Sequence, residues 1–160
     1  MAPIPYGEQA AFFRAALFLG LLKGERVVRW ADAVIARDAS APAGFIEVAA
    51  TSPEDLTTLR HALLTVCGEK ESAAVVRALL GAAGRDLSAG RRSFKDTMIV
   101  LKQLRASIAV DRALNDRLKT LGVDVALAGA GTVLAAAAEQ RVREWLGERE
   151  RDADAFLEAR

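Results

Sequence analysis

The chain contains one histidine, His61, and one cysteine, Cys67, and neither sits in a recognisable motif. Most site chemistry needs such groups in combination. No glycine loop, metal-ligand spacing or triad-like cluster accompanies them. A metal site would have to be built almost wholly from carboxylates. No cofactor and no metal are expected. His61 and Cys67 lie six residues apart. On a helix that is about 600° of rotation, so they face different ways. Cys67 falls on an apolar stripe and reads as core, and His61 falls to the side, near Arg60. A lone cysteine cannot close an intrachain disulfide, which points to a reducing compartment, and the expected location is cytoplasmic.

Long apolar runs and an excess of one charge are also missing. Residues 10–22 are nearly all apolar but are broken by Arg14 and Gly20. A membrane span needs about 20 apolar residues, so no membrane association is expected. Residues 15–22 imitate a signal-peptide core. However, Glu8 precedes them, no basic region stands before them and no small-residue cleavage site follows, so export is not expected. Lys plus Arg number 22 and Asp plus Glu 21, a net charge of +1. A polyanion binder shows a larger basic excess, so nucleic acid is not an expected partner.

What is present is amphipathic helix. A length of 160 residues, 52% of them hydrophobic and 27% charged, predicts a single globular domain able to bury its own core. Pro3 and Pro5 make residues 1–7 an extended lead-in. Helices are predicted over residues 8–23, with Gly24 as the stop, and over 25–37, with Val27, Ala31, Val34 and Ile35 as the stripe. Residues 38–44 are a loop, and 45–50 a short helix for want of any strand to pair with. The run Ser52-Pro53-Glu54-Asp55 starts a helix over 53–67, capped by Ser52 and closed by Gly68. Another covers 70–83, its end weakened by Gly81 and Gly84. Ser93-Phe94-Lys95-Asp96 is a capping box for the next helix. Its apolar phase changes near 107–111, where Asp111 can cap a further helix ending at Gly122. Residues 123–128 are an apolar link, 129–131 a glycine turn, and Thr132 a cap for the last helix. Residues 148–160 form a charged tail that frays or projects. The fold class is all-α: seven or eight short helices, in a compact bundle or a short stack of antiparallel helix pairs. Val27-Val28-Arg29 and Val75-Val76-Arg77 give the paired arrangement a faint repeat.

Four features invite a functional reading. Val123, Val125 and Leu127 alternate ahead of Gly129-Ala130-Gly131, which imitates the entry to a dinucleotide fold. Leu134 stands where the third glycine belongs and no βα units follow, so the segment reads as an inter-helix turn. Arg91, Arg92 and Lys95 cluster at a helix start. They oppose the helix dipole there and so suit an acidic contact. Trp145 stands where the last helix turns charged, the place for an interface anchor or a core residue. Glu47 lies within an apolar run. Periodicity places it at an exposed position; buried beside Asp32 or Arg29 it would instead make a structural ion pair or an acid/base site.

The stretch Gly24-Glu25-Arg26-Val27-Val28-Arg29-Trp30-Ala31-Asp32, followed by a Pro-containing loop and a short apolar segment, resembles small all-helical bacterial proteins of uncharacterised function, some of them immunity-like. The resemblance covers residues 24–50. It implies a helical binding protein, and it transfers no functional residue.

Two functions follow as expectations. The first is a protein–protein interaction module acting by steric occlusion, with Trp145, Arg91, Arg92 and Lys95 as contacts. The second is a small enzyme or ligand-binding bundle with Glu47, Asp32 and Arg29 around a pocket. A filled core with an exposed apolar patch favours the first, and a pocket where those carboxylates converge favours the second. A homodimer through the C-terminal helix, along residues 145–156, is a third arrangement.

Overall fold

The computed structural model describes residues 4–67, 71–128 and 133–158. Within them the chain is all-helical, with nine helices and no strand: α1 (Tyr6–Phe18), α2 (Gly24–Arg37), α3 (Gly44–Ala50), α4 (Leu56–Leu64), α5 (Ala73–Ser88), α6 (Phe94–Ser107), α7 (Arg112–Ala128), α8 (Val133–Gly147) and α9 (Glu150–Leu157). None of these helices is long and apolar enough to cross a membrane. The chain forms two compact units. The first is Met1–Val75 with Ala155–Arg160, and the second is Val76–Asp154. Gly68, expected to close a helix, and the expected turn and cap at 129–132 lie outside the described residues.

In the first unit α1 is buried on nearly every side: Gln9 to Phe13 and Ala15 to Leu17 are all inside. It stops earlier than the expected Gly24. Gly20 adopts φ +66°, the Leu21 N–H bonds to the Ala16 carbonyl at 2.8 Å and the Gly20 N–H to Leu17 at 3.1 Å. That is a Schellman cap, which needs the left-handed conformation glycine supplies. Gly24 instead opens α2, where a Cβ would stand 1.9 Å from the Pro53 carbonyl oxygen. α2 packs on α3, α3 on α4, and α1 on α4. Val27, Ala31 and Val34 are buried as expected, as is Trp30, whose apolar neighbours in sequence widen the stripe toward the core, while Ile35 is exposed. α4 starts at Leu56 rather than Pro53, because the Asp55 carboxylate, not Ser52, accepts the Thr58 N–H at 3.0 Å.

The core of this unit is aromatic. Tyr6, Phe45, Trp30, Phe13, Phe12 and Phe156 form a continuous chain of ring contacts, with centroids 4.6–5.6 Å apart. Such spacing suits edge and tilted packing of ring quadrupoles. Arg14 pairs with Glu71 at 2.7 Å at the edge of the core.

In the second unit α5 runs past the predicted end. Gly81 and Gly84 lie inside it and are buried. A Cβ on Gly81 would fall 2.1 Å from the Arg149 carbonyl oxygen, and one on Gly84 2.9 Å from Leu146. These glycines mark close packing rather than a weak helix end. α5 closes on a second Schellman cap, with Gly90 at φ +69°. Ser93 then caps α6 as predicted: its Oγ accepts the Asp96 N–H at 3.0 Å and donates to the Asp96 carboxylate at 2.7 Å, a bond to the hydroxyl in place of the box's bond to the backbone N–H. The predicted break follows, and Asp111 caps α7 by accepting the Leu114 N–H at 2.8 Å. α7 does not end at Gly122. Leu118, Leu121, Val125 and Ala128 keep helical spacing, and one glycine costs a helix only about 1 kcal/mol, so residues 123–128 are helix rather than link. The charged segment expected to fray forms α9, whose Ala153 and Phe156 are buried. α6 packs on α7, and α7 on α8.

Candidate functional site

α6, α7 and α8 frame an open groove of about 870 Å³ in the second unit. Each helix contributes through simple spacing. On α6, Phe94, Met98, Leu101 and Arg105 fall at i, i+4, i+7 and i+11, so they share one stripe. Lys95, Ile99 and Lys102 form the row beside it. On α7, Leu118, Gly122 and Val125 form one row, and Lys119, Val123 and Ala126 the next. α8 adds Ala135 and Glu139. Val100 and Leu104 face the unit's own core. α6 is thus apolar on two faces, and one of them has no covering helix among the described residues.

The groove has a recessed floor and higher walls. Leu101 and Leu118 are buried, whereas Ile99 is 47% and Val123 46% exposed. A Cβ on Gly122 would meet nothing within 4 Å, so the middle of α7 offers bare backbone to the groove. Leu127, Val133 and Leu134, at the adjoining ends of α7 and α8, are still more exposed. Apolar surface of this kind, rimmed by charge, is the usual mark of an interaction site.

The rim is cationic. Lys95, Lys102, Arg105 and Lys119 line the groove, and among the described residues none of the four stands in an ion pair. The nearby acids are already engaged: Glu139 with Arg143 at 2.6 Å, Asp124 with Arg141 at 3.7 Å, and Asp116 with Arg112 at 3.8 Å.

The residues singled out from sequence are dispersed. Arg91 and Arg92 both turn onto Asp86. The Arg91 Nε donates to its carboxylate at 2.9 Å, that of Arg92 lies at 3.8 Å, and both backbone N–H groups bond to its carbonyl. They close the end of α5, while Lys95 alone of that cluster reaches the groove. Trp145 is buried, with the Arg149 guanidinium 4.1 Å above its ring. Glu47 and Asp32 are exposed, and no hydrogen bond or ion pair joins them to Arg29 among the described residues. Arg29 lines a second groove, of about 790 Å³, with Arg26, Arg37 and Trp30, and neither carboxylate lines it.

His61 is exposed on α4. Cys67 is buried, and desolvation pushes its thiol up, only partly offset by the nearby Arg14 charge. A thiol held protonated is a poor nucleophile. Among the described residues no three His, Cys, Asp or Glu side chains converge to hold a metal ion.

Sequence reasoning missed the groove residues Met98, Ile99, Lys102, Arg105, Lys119 and Val123. One signal was available. From Phe94 to Leu104, α6 carries apolar residues over too wide an arc for a helix that buries only one stripe.

Comparison with protein-family models, curated proteins and solved structures finds no match to this chain.

Proposed function

We propose that this protein is a helical protein–protein interaction module that holds its partner in the groove between α6, α7 and α8. The observation that carries the reading is the half-exposed pair Ile99 and Val123 above a recessed apolar floor, beside cations that no carboxylate among the described residues engages. The mechanism is steric occlusion: a partner segment held in the groove is withdrawn from its own target. An immunity-type role in neutralising a toxin would use such a surface. A single free buried thiol suits action in the reducing cytoplasm. The carboxylate-pocket alternative has no geometric support, since Glu47 and Asp32 do not converge.

The test compares the full chain with an Ile99→Asp/Val123→Asp variant as bait in cytoplasmic extract. Exposed positions tolerate such changes within about 0.5 kcal/mol, and circular dichroism checks that the variant is folded. A stoichiometric protein held by the parent and released by the variant supports the reading. A partner retained equally by both overturns the assignment of the groove.

A further inference from the structure

The groove's chemistry also specifies what fills it. Resting on the docking reading above, we infer that the occupant is an amphipathic helix of the partner, with apolar anchors on one face and carboxylates along its flank.

The first argument is shape. Phe94 to Arg105 covers about 17 Å of α6 at 1.5 Å per residue, enough to seat a helix of about three turns. A helix lays residues i, i+3, i+4 and i+7 into a long apolar trough. The floor at Leu101 and Leu118 lies below the rim residues Ile99 and Val123. Protruding side chains reach such a floor, whereas a flat lipid surface does not.

The second argument is charge. Lys95, Lys102 and Arg105 are spread along α6, with Lys119 on α7. A single anionic headgroup, such as that of a fatty acid, is gripped by cations that converge on one point. Cations spaced one and two turns apart instead match a row of carboxylates on a parallel rod. Pairing them also gives each cation a partner that the described residues do not supply, since Glu139, Asp124 and Asp116 already have partners.

The third argument is internal precedent. Within the second unit, two acidic residues of α9 are held in this way. Asp152 pairs with Arg77 and Asp154 with Arg85, both on α5, while Ala153 between them is buried. A helix whose carboxylates meet cations on either side of a buried apolar residue is therefore a packing this chain already makes.

The experiment selects binders of the full chain from a displayed library of amphipathic helical peptides with fixed leucine faces and randomised flanks. The expected result is enrichment of Asp and Glu at the flanks. Binding of the selected peptides is lost in Ile99→Asp/Val123→Asp and weakened about tenfold in Lys102→Glu/Arg105→Glu, the sum of a few exposed ion pairs. Peptides that need Ile99 and Val123 but carry neutral or basic flanks overturn the acidic helix and leave the docking reading standing. Selected peptides indifferent to Ile99 and Val123 overturn both. Dodecanoate or phosphatidylglycerol vesicles serve as competitors. If either binds in the groove while no peptide does, the occupant is an anionic lipid and the inference fails.

Discussion

The indole N–H of Trp30 donates to the Gln9 side-chain oxygen at 2.8 Å, and both side chains are buried. Gln9 in turn donates its amide to the Ile4 carbonyl at 2.6 Å. One polar side chain thus ties the lead-in segment to the middle of the aromatic core. A buried donor left without an acceptor costs about 1–3 kcal/mol. Gln9→Leu is therefore expected to lower the unfolding free energy by that amount, read from urea denaturation. Trp30→Phe in the same background should recover part of the polar penalty, because both ends of the bond are then gone. A double-mutant cycle reads the coupling, and a cycle that closes to zero would show that the bond contributes nothing.

The glycines divide by what stands opposite them. Gly81→Ala drives a Cβ against the Arg149 carbonyl oxygen, and backbone cannot yield as a flexible side chain can. A loss of about 1–3 kcal/mol is expected, typical of overpacking. Gly122→Ala adds a methyl group to open space inside α7. It should raise stability by about 0.4–1 kcal/mol through the unfolded chain. Thermal melts of the two variants should move in opposite directions.

Acid is expected to act on the first unit. The Thr58 hydroxyl, and then its backbone N–H, hold Asp55 below its ordinary value of 3.8. The Ser40 and Tyr6 hydroxyls do the same for Asp38, and the Ser52 hydroxyl for Glu54. Each carboxyl is thus more acidic folded than unfolded. The unfolded chain takes up the proton first, so falling pH favours unfolding. The stabilisation is fully present above the ordinary carboxylate range and is lost as pH falls through the folded values. Urea midpoints measured from neutral pH to below 3.8 should fall. Asp55→Asn should flatten part of that slope, and an unchanged slope would remove Asp55 as a contributor.

Cys67 should resist modification. It is buried and its thiol is pushed up by desolvation, so little thiolate forms near neutral pH. Iodoacetamide labelling of the native protein is expected to be far slower than in urea, and to speed up only when the chain opens. Equal rates in both conditions would mean that the site is accessible.

Much of the helix pattern could be read from sequence, because caps are local. Ser93 with Asp96, and Asp111 ahead of α7, act through neighbours within one turn. The short α3 was legible by elimination, as no strand was available to pair with it. Other boundaries depended on a backbone conformation or on contacts remote in sequence. Gly20 sits in an apolar run, and only its left-handed φ shows that it ends α1. Gly81 and Gly84 look like helix breakers until Arg149 and Leu146 are found against them. The candidate site was less legible. Arg91 and Arg92 drew attention as neighbouring charges, but Asp86, in the last turn of α5, engages both. The groove joins residues from three helices, and an alternation at 123–127 disguised one of them as a link.

The two tryptophans fall one to each unit: Trp30 among the rings of the first and Trp145 beneath Arg149 in the second. The chain therefore carries its own pair of optical labels. With Trp145→Phe, fluorescence follows the first unit alone, and with Trp30→Phe it follows the second. Coincident transitions would mean that the protein melts as one cooperative body, and separated ones that its halves keep independent thermodynamic accounts.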